Sequence, residues 1–384
     1  MDGRVSRTHA LILICVAAFG TLAGWVGAWS VFSSRNAVGP AARVPQILHE
    51  GEIPDPLLTR PSEYAWTRQP APLFPIPPYA VHLENVTIVL DPGHIGQAQR
   101  PGFKIGPTGL REAVVNLNVA RYLREFLVAA GAKVIMTRDK DATLNMSDED
   151  DLADRAAIAN RSSGDLLLSI HHNAAGSDAN FTTVFFHDDP DHSPASVSAA
   201  RHILWGLNDA LRLQTHIPVA LATDMTIYRG SGFRLLRLSE IPAVLSEASF
   251  YTNLDEENRL RDDTYNRREA YGLFLGLARW AQAGLPRVRI VEPERGTRQS
   301  PTTLRVKLDD GLTPRGGMMQ KFPKIIARSI NVEFAGAALP FKYDPVRAEI
   351  TFELPTLPKA GSRVFVDFQN VFGQHVIHPW LPLD

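Results

Sequence analysis

The chain is expected to fold as an α/β domain, a mostly parallel sheet with helices on both faces, followed by a small all-β sandwich of immunoglobulin-like type and preceded by an apolar N-terminal segment. Three observations carry this expectation. Between residues 86 and 283, β-branched runs alternate with helical periods, as strands joined by helical crossovers do. After Pro286 the pattern changes to short alternating runs with no helix between them, which suggests a sandwich. Residues 10–32 carry no charge over 23 positions, long enough to span a bilayer. These shifts divide the chain into 1–32, a transmembrane anchor or signal peptide; 33–80, a proline-rich linker; 81–284, the α/β domain; and 285–384, the β domain.

Composition narrows the classes. A 45% hydrophobic and 21% charged chain is an ordinary folded body. With a net charge of -1 and no basic stripe, nucleic acid is not an expected partner. The single cysteine, Cys15, rules out an intrachain disulfide and says nothing about redox compartment. Address therefore rests on the N-terminal segment. Arg4 and Arg7 precede it and favour the cytoplasmic side, while Trp25 and Trp29 suit the interfacial belt. The favoured expectation is a helix anchored in the cytoplasmic membrane; the alternative is a signal peptide cleaved near Val26-Gly-Ala28. Either one exports the chain to the extracytoplasmic cell envelope. Prolines recurring from Pro40 to Pro78 then read as an extended spacer.

Within the α/β region, Val86 to Leu90 reads as a buried strand halted by the turn Asp91-Pro-Gly, with His94 just past its carboxyl end. A helix is expected from about Arg111 to Ala130. Glu112, Asn116, Val119, Leu123, Phe126, Leu127 and Ala130 share one face of it, which aims Glu112 at the sheet edge. The plainer account is a carboxylate complementing the helix dipole. Gly131 stops that helix, residues 132–137 form a strand, and Ser147 N-caps a helix to Asn160. The acidic run Asp148 to Asp151 lacks calcium-loop spacing and reads as a charged first turn. Asp165 to Ile170 is continuously apolar, as a central parallel strand should be. It ends in His171-His172-Asn173, and because successive strand residues face opposite sides, one histidine is a ligand candidate and the other a bystander. A strand at 182–186, a helix at 195–213, a strand at 241–245 ending at Ser246-Glu247, and one helix from about Asp255 to Gln282 complete the domain. His187, His192, His202 and His216 show no ligand spacing and read as solvated or hydrogen-bonded histidines.

His94, Glu112, one of the paired histidines and Glu247 thus converge on one sheet edge. Two imidazoles and a carboxylate are a ligand set for catalytic zinc, which lowers the pKa of bound water and polarises a carbonyl. A carboxylate outside the shell is then needed to move protons, and Glu247 fits.

The motifs Asp91-Pro-Gly-His94, Arg111-Glu112 with Asn116-Leu117, Thr137-Arg138, Ser169-Ile-His-His-Asn-Ala174 and Pro242-Ala-Val-Leu-Ser-Glu247 resemble those of the zinc-dependent N-acetylmuramoyl-L-alanine amidases of the amidase 3 type. The resemblance covers about two hundred residues, and several separated motifs in the right order make it specific. It implies one Zn2+ per chain, held by His94, Glu112 and His171, with His172 at the family's variable position and Glu247 as the catalytic glutamate. The implied reaction is hydrolysis of the amide between N-acetylmuramic acid and L-alanine in peptidoglycan. Ile95 stands where a glycine is usual, and Ala248-Ser-Phe250 replaces a stretch ending in Gly-Phe, so substrate fit is expected to differ. The connection from Ala174 to Phe181 is short, without an inserted helix that would block the site.

Three rivals remain: a zinc peptidase acting within the stem peptide, a catalytically idle wall-binding protein, and a two-histidine, one-carboxylate iron oxygenase. The helix and strand alternation and the extra glutamate speak against the oxygenase. The β domain is open to glycan binding, to an envelope partner, or to spacing alone, because its fold fixes no function. Its Phe322, Phe334, Phe341, Phe365 and Trp380 read as core in preference to a sugar platform.

Overall fold

The computed structural model describes residues 74–94, 104–142, 147–189, 193–213, 220–294, 303–312 and 324–383. The apolar segment 10–32, most of the linker, Ile95, His192, His216 and Phe322 lie outside them. No helix among the described residues is long and apolar enough to cross a membrane.

Six strands, β1 (Thr87–Pro92), β2 (Lys133–Met136), β3 (Leu166–Asn173), β4 (Thr183–Phe186), β5 (Leu221–Thr223) and β6 (Ala243–Phe250), form one sheet in the order β2-β1-β3-β6-β4-β5. The neighbours from β2 to β6 pair parallel, whereas β4 runs antiparallel to β6. No helix separates β3 from β4, so the chain re-enters the sheet at the edge it has just left, and an antiparallel strand results. The expected mostly parallel sheet is present with this one reversal.

Helices α1 (Glu112–Ala129), α2 (Asp148–Ser162), α3 (Ser193–Leu211), α4 (Arg234–Arg237), α5 (Leu254–Leu260) and α6 (Asp263–Gln282) join the strands. Strand alternation feeds two cores. Ile88, Leu90, Leu166 and Leu168 pack beneath α1, α3 and α6; Val89, Leu167 and Phe185 pack beneath α2 and α4. Both faces are therefore covered, as the continuous apolar strands required.

Several expectations need correction. The single helix over 255–282 is two helices, because Asp262 accepts from the amides of Thr264 and Tyr265 and restarts the helix as an N-cap. Strand β6 runs on to Phe250, so Glu247 lies inside the strand and not at its end. Strand β5 and helix α4 span three and four residues, too short for any period to register.

The C-terminal strands are β7 (Arg287–Glu294), β8 (Thr303–Asp309), β9 (Asn331–Phe334), β10 (Ala337–Ala338), β11 (Phe341–Asp344), β12 (Glu349–Glu353), β13 (Arg363–Asp367) and β14 (Trp380–Pro382). They form two antiparallel sheets, β10-β9-β13-β14 and β11-β12-β8-β7. Both sheets supply one apolar core that includes Val306, Val332, Phe334, Ile350 and Val366. Phe365 packs edge-on against Trp380 at 5.1 Å. Residues 375–378 form no strand: His375 makes an isolated bridge to Gln369, and the last strand is β14.

This β region is fastened to the α/β domain at the amino-terminal edge of its sheet. Asp165, just before β3, accepts from Arg287 Nη2 at 2.6 Å and from the Thr87 amide at 2.9 Å. His378 Nε2 stands 3.8 Å from the same carboxylate. Ile377 is buried within the core beneath α1, α3 and α6.

Burial acts to raise the Asp165 carboxyl, but His378, Arg287 and the Thr87 amide outweigh it and hold it below the usual aspartate range. A lowered folded-state pKa gives stability that is present above the unfolded value and is lost as pH falls through the folded value. Asp165→Asn should therefore cost about 1–2 kcal/mol at neutral pH, a figure tempered by the exposure of Arg287. The gap in urea midpoint between variant and native chain should close below about pH 4. A gap unchanged down to pH 2 would refute the ion-paired role.

Candidate metal centre

The strand order reverses between β1 and β3: β1 leads through α1 to β2 on one side, and β2 leads through α2 to β3 on the other. Such a switch point opens a crevice at the carboxyl ends of the strands. His94 follows β1 and His171 lies near the end of β3, so the topology places them together. Glu112 enters from the first turn of α1.

His94, Glu112 and His171 bring one ligand atom each to within 4.8 Å of one another. His171 Nδ1 is 3.1 Å from His94 Nε2 and 3.1 Å from Glu112 Oε1. Glu112 Oε2 is 3.2 Å from His94 Nε2, yet it is buried without a hydrogen bond. Ligand atoms of a tetrahedral zinc ion, bound at about 2.0–2.1 Å, stand about 3.3 Å apart. The spacing, the donor types and the orphaned carboxylate oxygen fit such an ion.

Electrostatics agree with that set. Burial pushes His94 down to about 4 against the pull of Glu112, with Lys104 adding repulsion, so its ring is neutral at physiological pH, the form that a metal ion requires. Burial acts to raise Glu112, but the two histidines beside it outweigh that and hold its carboxyl well below the usual range. Glu112 is not merely a helix-dipole residue; it is wholly buried among donors.

Glu247 stands beside this cluster, paired in register with His171 across β3 and β6, but it is not one of the three converging residues. Burial first, then repulsion by Glu112, raises its carboxyl well above the usual value. Its Oε2 is buried without a hydrogen-bond partner. Ala248, Ser249 and Phe250 beyond it are fully buried, and the Phe250 ring packs on Phe181 at 4.6 Å. The altered stretch thus fills space behind Glu247.

His172 is not idle. Its ring lies 2.8 Å from Asn116 Oδ1 and 2.8 Å from Glu269 Oε2, and its backbone amide donates to Glu112 Oε1. A register shift between His171 and Asn173 breaks strict alternation here. Of the remaining histidines, His187 pairs with Asp224 at 2.9 Å, and His202 lies 3.3 Å from Gln374 of the β region.

Sequence reasoning missed the scaffold beneath the site. Asp91 is buried and accepts from Thr137, Ser169 and Arg155. Arg155 also donates to the carbonyls of Pro92 and His94 and to Asp151. Arg138 donates to the carbonyls of Pro92, Gly93 and Ala113, tying the His94 turn to α1. Thr137-Arg138 was visible as a motif without its role. The pattern gave no sign of Lys104, which is buried at φ 52° and accepts the Glu112 amide through its carbonyl. It sits in a Gly- and Pro-rich loop without periodicity.

Residues 88–279, half of the 384-residue chain, match a family model described as N-acetylmuramoyl-L-alanine amidase, and the chain belongs to that family. Among its relatives is the Staphylococcus epidermidis protein named "Probable cell wall amidase LytH", 30% identical over 202 residues, covering 52% of this chain and 59% of the relative. The Bacillus subtilis N-acetylmuramoyl-L-alanine amidase LytC is 28% identical over 190 residues, 50% of this chain and 34% of LytC. The chain thus spans less than two thirds of either relative. The CwlD amidase from Clostridioides difficile, solved in complex with the GerS lipoprotein, is 27% identical with a TM-score of 0.44, covering 51% of this chain and 98% of CwlD.

A Cβ added at Gly93 would lie 2.2 Å from ring atoms of His171. Gly93→Ala should therefore displace that ring and weaken metal binding by about 10-fold or more, measured by chelator competition with the purified protein. Native affinity in that variant would show that the ring position does not depend on this close approach.

Proposed function

We propose that this chain is an exported peptidoglycan hydrolase that cleaves the amide between N-acetylmuramic acid and the L-alanine of the stem peptide, with zinc held by His94, Glu112 and His171. The observation that carries the proposal is the convergence of two imidazoles and one carboxylate at the β1/β3 switch point of a chain in this family. A relative named as a cell wall amidase supports the substrate. The uncharged run at 10–32 supports export, by anchor or by signal. The paired C-terminal sheets are consistent with an immunoglobulin-like sandwich, which serves glycan or envelope binding or spaces the enzyme.

Bound zinc supplies Lewis acidity and lowers the pKa of the attacking water. His94, neutral at physiological pH, and His171 offer lone pairs, and Glu112 offers charge. Glu247, raised by burial and by Glu112, takes the proton released as the water oxygen joins the lactyl carbonyl carbon. It returns that proton to the alanine nitrogen as the C–N bond breaks, so that the amine leaves neutral. Lys104 brings positive charge near His94, Glu112 and Glu247 and counters the negative charge that develops on the carbonyl.

Glu247→Gln should keep zinc and lose about 10²–10⁴-fold of turnover on purified peptidoglycan. His94→Ala should lose zinc itself, read as metal content. Mass spectrometry of the products separates the alternatives: intact stem peptides released from glycan support the amidase, and trimmed stems would make the protein a peptidase. No products with the zinc-loaded chain would leave a wall-binding role.

A further inference from the structure

Glu269 on α6, His172 on β3, and Asn116 and Glu112 on α1 form a continuous polar chain in which no member is more than 2% exposed. Burying four polar groups is costly unless each is bonded, and the bonding here dictates orientation. Asn116 Nδ2 stands 3.1 Å from the Gly93 carbonyl and 3.2 Å from Glu112 Oε1, both acceptors. Its Oδ1 must therefore be the atom facing His172 Nδ1 at 2.8 Å, and that nitrogen donates. The other ring nitrogen meets Glu269 Oε2 at 2.8 Å, so the ring is clamped at both ends. Glu112 Oε1 then receives Asn116 Nδ2 at 3.2 Å and the His172 amide at 3.1 Å. The carboxylate cannot rotate without losing these bonds, and Oε2 is left facing His94.

We propose that Glu269, His172 and Asn116 are positioning residues that lock Glu112 and thereby set the affinity of the site for zinc. Asn116 also holds the carbonyl of Gly93, next to His94, so the network reaches the segments carrying all three proposed ligands. Groups that orient metal ligands in this way typically govern affinity by about 10–100-fold. The inference rests on the zinc reading of the site.

The test is the zinc dissociation constant of the full chain, obtained by competition with a chromophoric chelator, with circular dichroism as a check of folding. Removing one member of the His172–Glu269 pair would strand the other in the interior. The informative variant therefore carries His172→Leu and Glu269→Met together, leaving neither group unpaired. Zinc affinity should fall about 10-fold or more in the folded double variant; a smaller loss overturns the proposal, because a pair that only fills the core would not move this constant. Should the double variant not fold, Asn116→Leu, which cuts the relay and keeps the pair, decides by the same criterion. His171→Ala is the control: if it binds zinc as the native chain does, the zinc reading has failed, and the role of the network is a separate matter.

Discussion

A wholly buried carboxylate, Glu112, is the constraint on which the rest of this structure depends. An uncompensated charge in a protein interior is prohibitively costly, so the fold must supply partners from several directions at once. The amino end of α1 supplies its dipole. Strand β3 supplies the His172 amide and the His171 ring, and the turn after β1 supplies His94. The loop ahead of α1 is fixed through the Lys104 carbonyl, which accepts the Glu112 amide, and through Glu257, which accepts the amides of Thr108 and Leu110. The compensating groups come from α1, from β3 and from the turn after β1, so stabilising one charge requires those segments to meet.

The turn that carries His94 depends on a second buried charge. His94 has φ 53°, a left-handed conformation that costs of order 1–3 kcal/mol for a residue other than glycine. Two guanidiniums hold it there by binding the carbonyls of Pro92, Gly93 and His94. Arg155 is in turn neutralised by Asp91 and Asp151. Arg138 has no such close acidic partner among the described ion pairs, and burial together with repulsion from Arg155 lowers it to about 10. It stays cationic at neutral pH and spends its donors on backbone carbonyls of the segments that carry His94 and Glu112.

What could be read from sequence follows from which signals are local. The strand ends at His94 and His171 were legible because an apolar run followed by turn chemistry or polar residues is a short-range pattern. The inward aim of Glu112 was legible because helical spacing set it on the same face as Val119 and Leu123. The break at Asp262 was not, since one N-cap inside a long amphipathic period leaves the period intact. Position within β6 was misjudged because Glu247 is a charged residue inside a buried strand, and residue type argued for an end. Lys104, Arg155 and Glu269 were not assigned roles because their partners lie 8, 64 and 97 positions away in sequence, and in Arg155 and Glu269 only the folded sheet brings the pair together.

The same carboxylate that organises the cluster also divides labour between two glutamates. Glu112 is held far below the ordinary carboxylate range by the histidines around it, while its charge helps burial push Glu247 the other way. Two carboxyls driven apart in this manner take different roles: one remains an anion suited to a cation, the other can carry a proton. The division needs Glu247 close enough to feel Glu112 and far enough to escape its donors. Pairing in register with His171 across β3 and β6 holds Glu247 one strand spacing of about 4.8 Å from the backbone of His171, which neighbours Glu112. The placement of the acid/base candidate is therefore a property of the sheet itself.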